Sequence, residues 1–370
     1  MHAHDFTSRL FRFFKSRHRK ILLRAFIQES AAGYRGLWWR TSLYLGAGKK
    51  KDAGKLNLRR TVHTYYGSHR SGWSFAIKSI GDLHHPEGVI TDGFIERTFS
   101  WNVGRNTETY NKPWIGFIHT PPGMPEWYHP VQTNTSVFSS GQWKESSRFC
   151  KGLFALSDYH RLYLSTILDI PINTVLHPAE FPELTWNFER FAANNRKIIV
   201  QVGLFLRKLH SIYILPEGNY VKVFLRKNDI YLDQLLRQEK ENSGISSLLT
   251  PEVMSSARVV DHMSNRAYDR MLSESIVFLD LYDASACNTI LECIARNTPL
   301  LVNRIPPVVE YLGGDYPLYF TSLQEAADKA ADIDLVRKAH LYLKDHPYKF
   351  KFTGQYFKES LIRSSIYQSL

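Results

Sequence analysis

Asp283-Ala-Ser-Ala-Cys-Asn-Thr-Ile-Leu-Glu292-Cys-Ile-Ala-Arg-Asn-Thr-Pro299-Leu-Leu-Val-Asn-Arg304 follows the apolar run Ser275-Ile-Val-Phe-Leu-Asp-Leu-Tyr282. The run reads as a strand, the small polar residues as a loop, and the stretch after them as a short amphipathic helix. A second apolar strand follows Pro299. A helix start presents unpaired N–H groups and the positive end of the helix dipole, which attract phosphate. Ala284, Ser285, Ala286 and Thr289 are small enough to let a ligand approach that backbone, and Asn288 stands among them. Asp283 and Glu292 can accept hydrogen bonds from sugar hydroxyls. The combination suits a nucleotide-sugar.

Working outward, the chain alternates strands and helices. In the second half, strands are expected at residues 197–203, 220–225, 257–261, 275–282, 300–302 and 318–320, with helices at 231–241 and 265–273. In the first half, strands are expected at 61–66, 88–92, 114–119, 152–156 and 174–177, and a helix at 73–80. Ser157 is placed to cap a helix whose apolar stripe is Tyr159, Leu162, Tyr163 and Ile167. This alternation argues for α/β architecture, with parallel sheets covered on both faces. Two such sheets joined by a linker form a cleft at strand carboxyl ends, where ligands bind. The expected division is a basic helix and loop over 1–58, a first Rossmann-like domain over 59–178 and a linker over 179–195. A second Rossmann-like domain follows over 196–345, then a helical tail over 346–370.

A length of 370 residues accommodates two domains. Cys150, Cys287 and Cys293 are odd in number and form no CxxC pair, which argues against a disulfide framework or zinc site. No run of about 18 apolar residues predicts a membrane-spanning helix, and the N-terminus lacks a signal peptide's apolar core. A cytoplasmic protein is expected. The net charge of +12 is partly local. Arg9, Arg12, Lys15, Arg17, Arg19, Lys20 and Arg24 interleave with phenylalanines and leucines, without an acid among them. Residues 9–27 therefore suit either a helix packed on the protein or one lying on an anionic membrane surface at the inner face. Nucleic acid is not expected as a partner, since no helix-turn-helix, zinc or RNA-binding signature accompanies the charge.

The 283–304 segment resembles the donor-binding region of GT-B glycosyltransferases, especially glycosyltransferase family 4. That family's signature is two glutamates with seven residues between them, a small-residue helix, a Thr-Pro and an apolar strand. Glu292 matches the second glutamate, and Thr298-Pro299 the Thr-Pro. Asp283 precedes Glu292 by nine positions rather than eight, so either the loop bulges by one residue or the first acid's role is altered. Gly203-Leu-Phe-Leu-Arg207-Lys208 follows a predicted strand, as does the family's Gly-Arg with its later Lys that hold the donor diphosphate. Here Leu204 follows Gly203; Lys208 is the closer positional match and Arg207 its partner. The bland reading is a surface basic pair.

The resemblance implies further roles. His119, ending a strand before Thr120-Pro-Pro-Gly123, would face the donor sugar. Gly72 and Arg70, in Gly67-Ser-His-Arg-Ser-Gly72, would meet donor or acceptor, unless that loop is an ordinary strand–helix turn. His262, beside the end of the 257–261 strand, would lie at the base pocket. Glu292 would hold the ribose and Asp283 the transferred sugar. The implied activity is metal-independent transfer of a sugar, with retention, from a nucleotide-sugar to a glycan or lipid-linked acceptor; no cofactor or metal is expected. A nucleotide-sugar 2-epimerase and a non-catalytic sugar-binding protein are the alternatives from other functional classes.

Overall fold

The computed structural model describes residues 54–61, 72–101, 109–129, 133–226, 230–261 and 263–370. The basic segment at 9–27, the expected strand at 61–66 beyond Thr61, and the site candidates Arg70 and His262 lie outside them. Eleven strands among the described residues build two all-parallel sheets.

The first sheet runs in the order β1 (Leu56–Asn57), β2 (Val89–Asp92), β3 (Trp114–Ile118), β4 (Cys150–Ala155) and β5 (Ile172–Thr174). Every residue of β3 is buried, as expected of a central parallel strand with both faces covered. Aromatic residues fill this core: Phe99, Tyr110, Trp114 and Trp143 pack with Ile95, Ile118, Leu153 and Leu164. β5 begins two residues before its expected start at 174. Its register is fixed by β4, with Leu153 opposite Ile172 and Ala155 opposite Thr174. Val175 adds one more bond, donating to the carbonyl of Ala155 at 2.9 Å.

The second sheet comprises β6 (Lys197–Val202), β7 (Tyr220–Leu225), β8 (Ala257–Val260), β9 (Ile276–Leu279), β10 (Leu300–Asn303) and β11 (Tyr319–Phe320). Its order is β11-β10-β9-β6-β7-β8. Counted from β6, this is the 3-2-1-4-5-6 order of a dinucleotide-binding Rossmann sheet, and the direction of winding reverses between β6 and β9. That switch point lies between the two sequence segments that the diphosphate expectation joins: β6 leads to Gly203, and β9 leads to Asp283.

The tail reverses onto the first sheet. Within the helical tail expected over 346–370, the chain forms two successive helices, Gly354–Arg363 and Ser365–Gln368. Ser364 breaks the run by capping the second helix through the N–H of Tyr367 at 3.1 Å. The Ser365 hydroxyl and the Ile366 N–H both donate to Asn173 Oδ1, beside β4, and Lys358 pairs with Asp82. Tail and first sheet thus form one packing unit, hereafter the first lobe; the part carrying the second sheet is the second lobe. No helix among the described residues is long and apolar enough to cross a membrane.

Candidate functional site at the switch point

The turn after β6 starts at Gly203, whose φ of +84° favours glycine, and passes through Leu206 at φ 58°. Tyr128, from the chain after β3 but packed in the core of the second sheet, holds this turn from both sides. Its hydroxyl donates to the carbonyl of Leu204 at 2.8 Å and accepts from the N–H of Leu206 at 2.7 Å. The two cations that follow diverge. Arg207 is buried, and its guanidinium donates to the carbonyls of Val202 and Phe205, to Cys287 Sγ at 3.2 Å and to Thr289 Oγ1 at 3.0 Å. It therefore staples the β6 turn to the start of the Asn288–Arg296 helix. Lys208 keeps 40% of its side chain exposed, with Nζ 2.8 Å from Asp280 Oδ1. It lines a cavity of about 460 Å³ with Asp280, Asn303, Arg304 and Phe320, at the carboxyl ends of β9, β10 and β11. The cation pair expected from sequence is thus one buried structural cation and one partly exposed cation paired with Asp280.

The amides just beyond Lys208 already have an anion. Buried Glu239 accepts from the N–H groups of Leu209 and His210, both at 2.9 Å, from His210 Nδ1 at 2.7 Å and from the Tyr282 hydroxyl at 2.8 Å. A phosphate approaching the switch point is left with the other helix start, at Asn288. There Cys287 occupies the N-cap position and supplies no side-chain hydrogen bond. Serine, threonine, aspartate or asparagine at that position normally satisfies one of the orphan amides. Ala286 and Asn288 are only partly buried at this mouth.

The acids of the segment have partners of their own. Asp283 Oδ1 accepts from the N–H of Ala284 at 2.8 Å. Its Oδ2 reaches across to the first lobe, accepting from the N–H of Gly123 at 2.7 Å and from the Tyr159 hydroxyl at 3.2 Å. Burial raises the Asp283 carboxyl above the ordinary aspartate value, and those three hydrogen bonds oppose the rise. Glu292 is buried on the helix and accepts from the Tyr268 hydroxyl at 2.5 Å. Arg296, one turn on, pairs with Asp269 at 2.6 Å and donates to the carbonyl of Glu292. The helix ends at Asn297, which adopts the left-handed C-cap conformation at φ 60°.

Gly123 shows how closely the lobes meet. A Cβ built there would lie 2.7 Å from Asp283 Oδ2. Gly123→Ala is therefore expected to force the two loops apart and to lower stability by about 1–3 kcal/mol. Urea unfolding measures this; an unchanged midpoint would show that the loops separate freely.

On the first lobe, Gly72 occupies the N-cap position of the Trp73–Ser79 helix in an extended conformation, without a capping hydrogen bond. His119 follows β3, its ring stacked on Phe94 at 3.8 Å between centroids and edge-on to Trp73 at 4.6 Å. Glu96, fully buried, accepts from the N–H groups of His119 and Thr120 through Oε1. Its Oε2 lies 3.8 Å from His119 Nδ1. Burial works to raise the Glu96 carboxyl, but the His119 ring and the two amides outweigh it and hold Glu96 below its ordinary value. His160, also fully buried, shares a 2.8 Å hydrogen bond between its Nδ1 and Ser285 Oγ. Glu310 from the second lobe meets the start of the His160 helix, accepting from the N–H groups of Asp158 and Tyr159 at 2.6 and 2.9 Å.

The structure therefore brings Gly203, Arg207 and Thr289 together at the switch point, holds Asp283 and Ser285 against Gly123 and His160, and puts Lys208 on the cavity lined by Asp280, Asn303 and Arg304. His119 stands in the first lobe near His160, the residue that touches Ser285. Sequence reading missed Glu96, Gly123, His160, Glu239 and Arg304. His160 had a legible signal, lying in the first turn of the Ser157-capped helix; the others are placed by contacts remote in sequence.

No protein-family model matches the sequence, and no curated protein does. Solved structures match the fold. Sucrose-phosphate synthase from Thermosynechococcus elongatus superposes with a TM-score of 0.54 at 11% identity, over 76% of this chain and 73% of that one. Trehalose-6-phosphate synthase OtsA gives 0.50 at 13% identity, over 80% and 76% of the two chains. A trehalose-6-phosphate structure from E. coli, bound with UDP-2-fluoro glucose, matches with the same scores and coverage. The two Rossmann-like parallel sheets and these neighbours define the GT-B architecture. At such identities the likeness is one of fold.

Proposed function

We propose that the chain is a glycosyltransferase that moves a sugar from a nucleotide-sugar donor to a glycan or lipid-linked acceptor, with retention of configuration. The observation carrying this reading is the uncapped start of the Asn288–Arg296 helix at the switch point, stapled to the β6 turn through Arg207. As the glycosidic bond breaks, negative charge grows on the departing diphosphate. Helix-start amides and a fixed cation, aimed there in advance, stabilise that charge without reorganising. In this reading Lys208 and those amides supply the stabilisation without a metal, and Arg207 holds the amides in place. His119 faces the sugar from the first lobe. A sugar hydroxyl reaching Asp283 replaces its bond to Tyr159 or Gly123, which couples donor binding to the lobe contact.

Thermal unfolding with UDP-, GDP-, dTDP- and ADP-sugars tests the proposal. A ligand present at a hundred times its Kd stabilises the folded state by about 2.7 kcal/mol. One of the four is expected to raise Tm and then to be consumed with an acceptor glycan. Absence of any shift across the panel would overturn the donor assignment.

A further inference from the structure

The cavity that Lys208 lines opens at the carboxyl ends of β9, β10 and β11, the end of a parallel sheet at which ligands bind. Its volume of about 460 Å³ falls within the roughly 300–1,000 Å³ of small-molecule sites. Two cations line it. Lys208 keeps 40% of its side chain exposed, and Arg304 is exposed on the loop after β10. The Arg304 guanidinium makes one long hydrogen bond, 3.5 Å to the carbonyl of Gly314, and lies 5.7 Å from the centre of the Tyr319 ring. A guanidinium has five N–H donors, so most of this fork is uncommitted. Two fixed positive charges at one cavity call for an anion.

The rest of the lining decides which anion fits. Asp280 is buried, and its Oδ2 accepts from the Ser211 hydroxyl at 2.9 Å. Its Oδ1 lies 2.8 Å from Lys208 Nζ but without hydrogen-bond geometry, so that oxygen keeps lone pairs for a further donor. A bare phosphate meets this carboxylate as a like charge, whereas a hydroxyl donates to it. The helix that starts beyond the cavity is already satisfied: Glu325 accepts from the N–H of Thr321 at 2.7 Å and from its hydroxyl at 2.8 Å. The Thr321 oxygen is left with lone pairs. Asn303 commits its amide to Leu281 in both directions, at 2.8 and 2.9 Å. Phe320 is buried and stacked on Phe278, so its ring offers no platform to a nucleobase. The cavity therefore combines cations with hydroxyl acceptors and lacks a stacking surface.

We propose that this cavity binds the phosphate monoester of a sugar. Arg304 forks onto the phosphate, Lys208 adds a second charge, and Asp280 Oδ1 and Thr321 Oγ1 accept hydroxyls of the ring. The site is separate from the helix start at Asn288, and its occupancy does not rest on the glycosyltransferase reading. Lys208 is shared with that reading, so Arg304 is the residue to vary.

Isothermal titration calorimetry on the full chain tests this with glucose 1-phosphate, glucose 6-phosphate and fructose 6-phosphate, set against glucose and inorganic phosphate. One sugar phosphate is expected to bind about tenfold or more tightly than inorganic phosphate, and glucose to give no heat. Arg304→Ala should weaken that sugar phosphate by about 10–100-fold, the loss of a hydrogen bond between charged groups, and leave the urea midpoint in place because the side chain is exposed. Asp280→Asn keeps an acceptor for Ser211 and should narrow the gap between the sugar phosphate and inorganic phosphate. Equal affinity for every phosphate would reveal a bare anion site and overturn the proposal. So would the absence of binding, or parental affinity in Arg304→Ala. The nucleotide-sugar screen repeated on Arg304→Ala separates the two sites: stabilisation by the donor should persist. Its loss would make the cavity part of the donor site and overturn a separate one. A sugar phosphate bound through Arg304, with no nucleotide-sugar stabilising the parent, would leave the glycosyltransferase reading to fail alone.

Discussion

Lys208→Ala is expected to lower turnover by about 10²–10³-fold, the loss seen when one preorganised group for a developing negative charge is removed. Stability should fall as well, by about 1–3 kcal/mol, since the buried Asp280 carboxylate loses the cation 2.8 Å from it, so turnover is read per folded molecule. The contrast with its neighbour makes the test sharp. Arg207→Ala removes the donor that Thr289 Oγ1 and two carbonyls share. Its first effect should be on unfolding, with turnover falling because the helix start is no longer held. Single-turnover kinetics and urea unfolding on both variants separate the roles. A Lys208→Ala enzyme with parental turnover would remove the lysine from the diphosphate site.

Arg296→Met is expected to destabilise the protein by about 3–5 kcal/mol, because it withdraws the guanidinium from a buried carboxylate. Arg296 is fully buried and Asp269 nearly so. The loss should reach the site, since Arg296 also donates to the carbonyl of Glu292 and stands 5.9 Å from the Tyr268 ring that binds the Glu292 carboxylate. Arg296→Met combined with Asp269→Leu should recover most of the stability, as replacing both members of a buried pair often costs little. Urea midpoints of the two variants decide it; equal losses in single and double variants would show that Arg296 acts by packing alone.

The second sheet was the more legible half. Its strands β6 to β11 lie where apolar runs bounded by Gly, Pro and polar residues placed them, because burial on both faces writes a continuous hydrophobic signal. The helix carrying Glu292 was legible for the same reason: its apolar side is periodic, and Asn297 and Pro299 end it. β5 was misplaced by two residues because Val175 and Leu176 extend the apolar pattern, whereas β4 sets the pairing. The tail break at Ser364 was missed because the periodicity runs through a serine that prefers to cap.

The sequence by itself determined that the chain builds paired parallel sheets, and that a small-residue loop opens a helix at a strand's carboxyl end. Local periodicity, turn chemistry and steric size are sufficient for both. Only the tertiary structure decided which partners the charges there take. Adjacent Arg207 and Lys208 look equivalent in sequence, yet the left-handed turn at Leu206 sends one inward to Thr289 and the other outward to the cavity. Asp283 and Ser285 likewise acquire their partners Gly123 and His160 from more than a hundred residues away. Such pairings arise when one lobe closes on the other, and no local pattern encodes them.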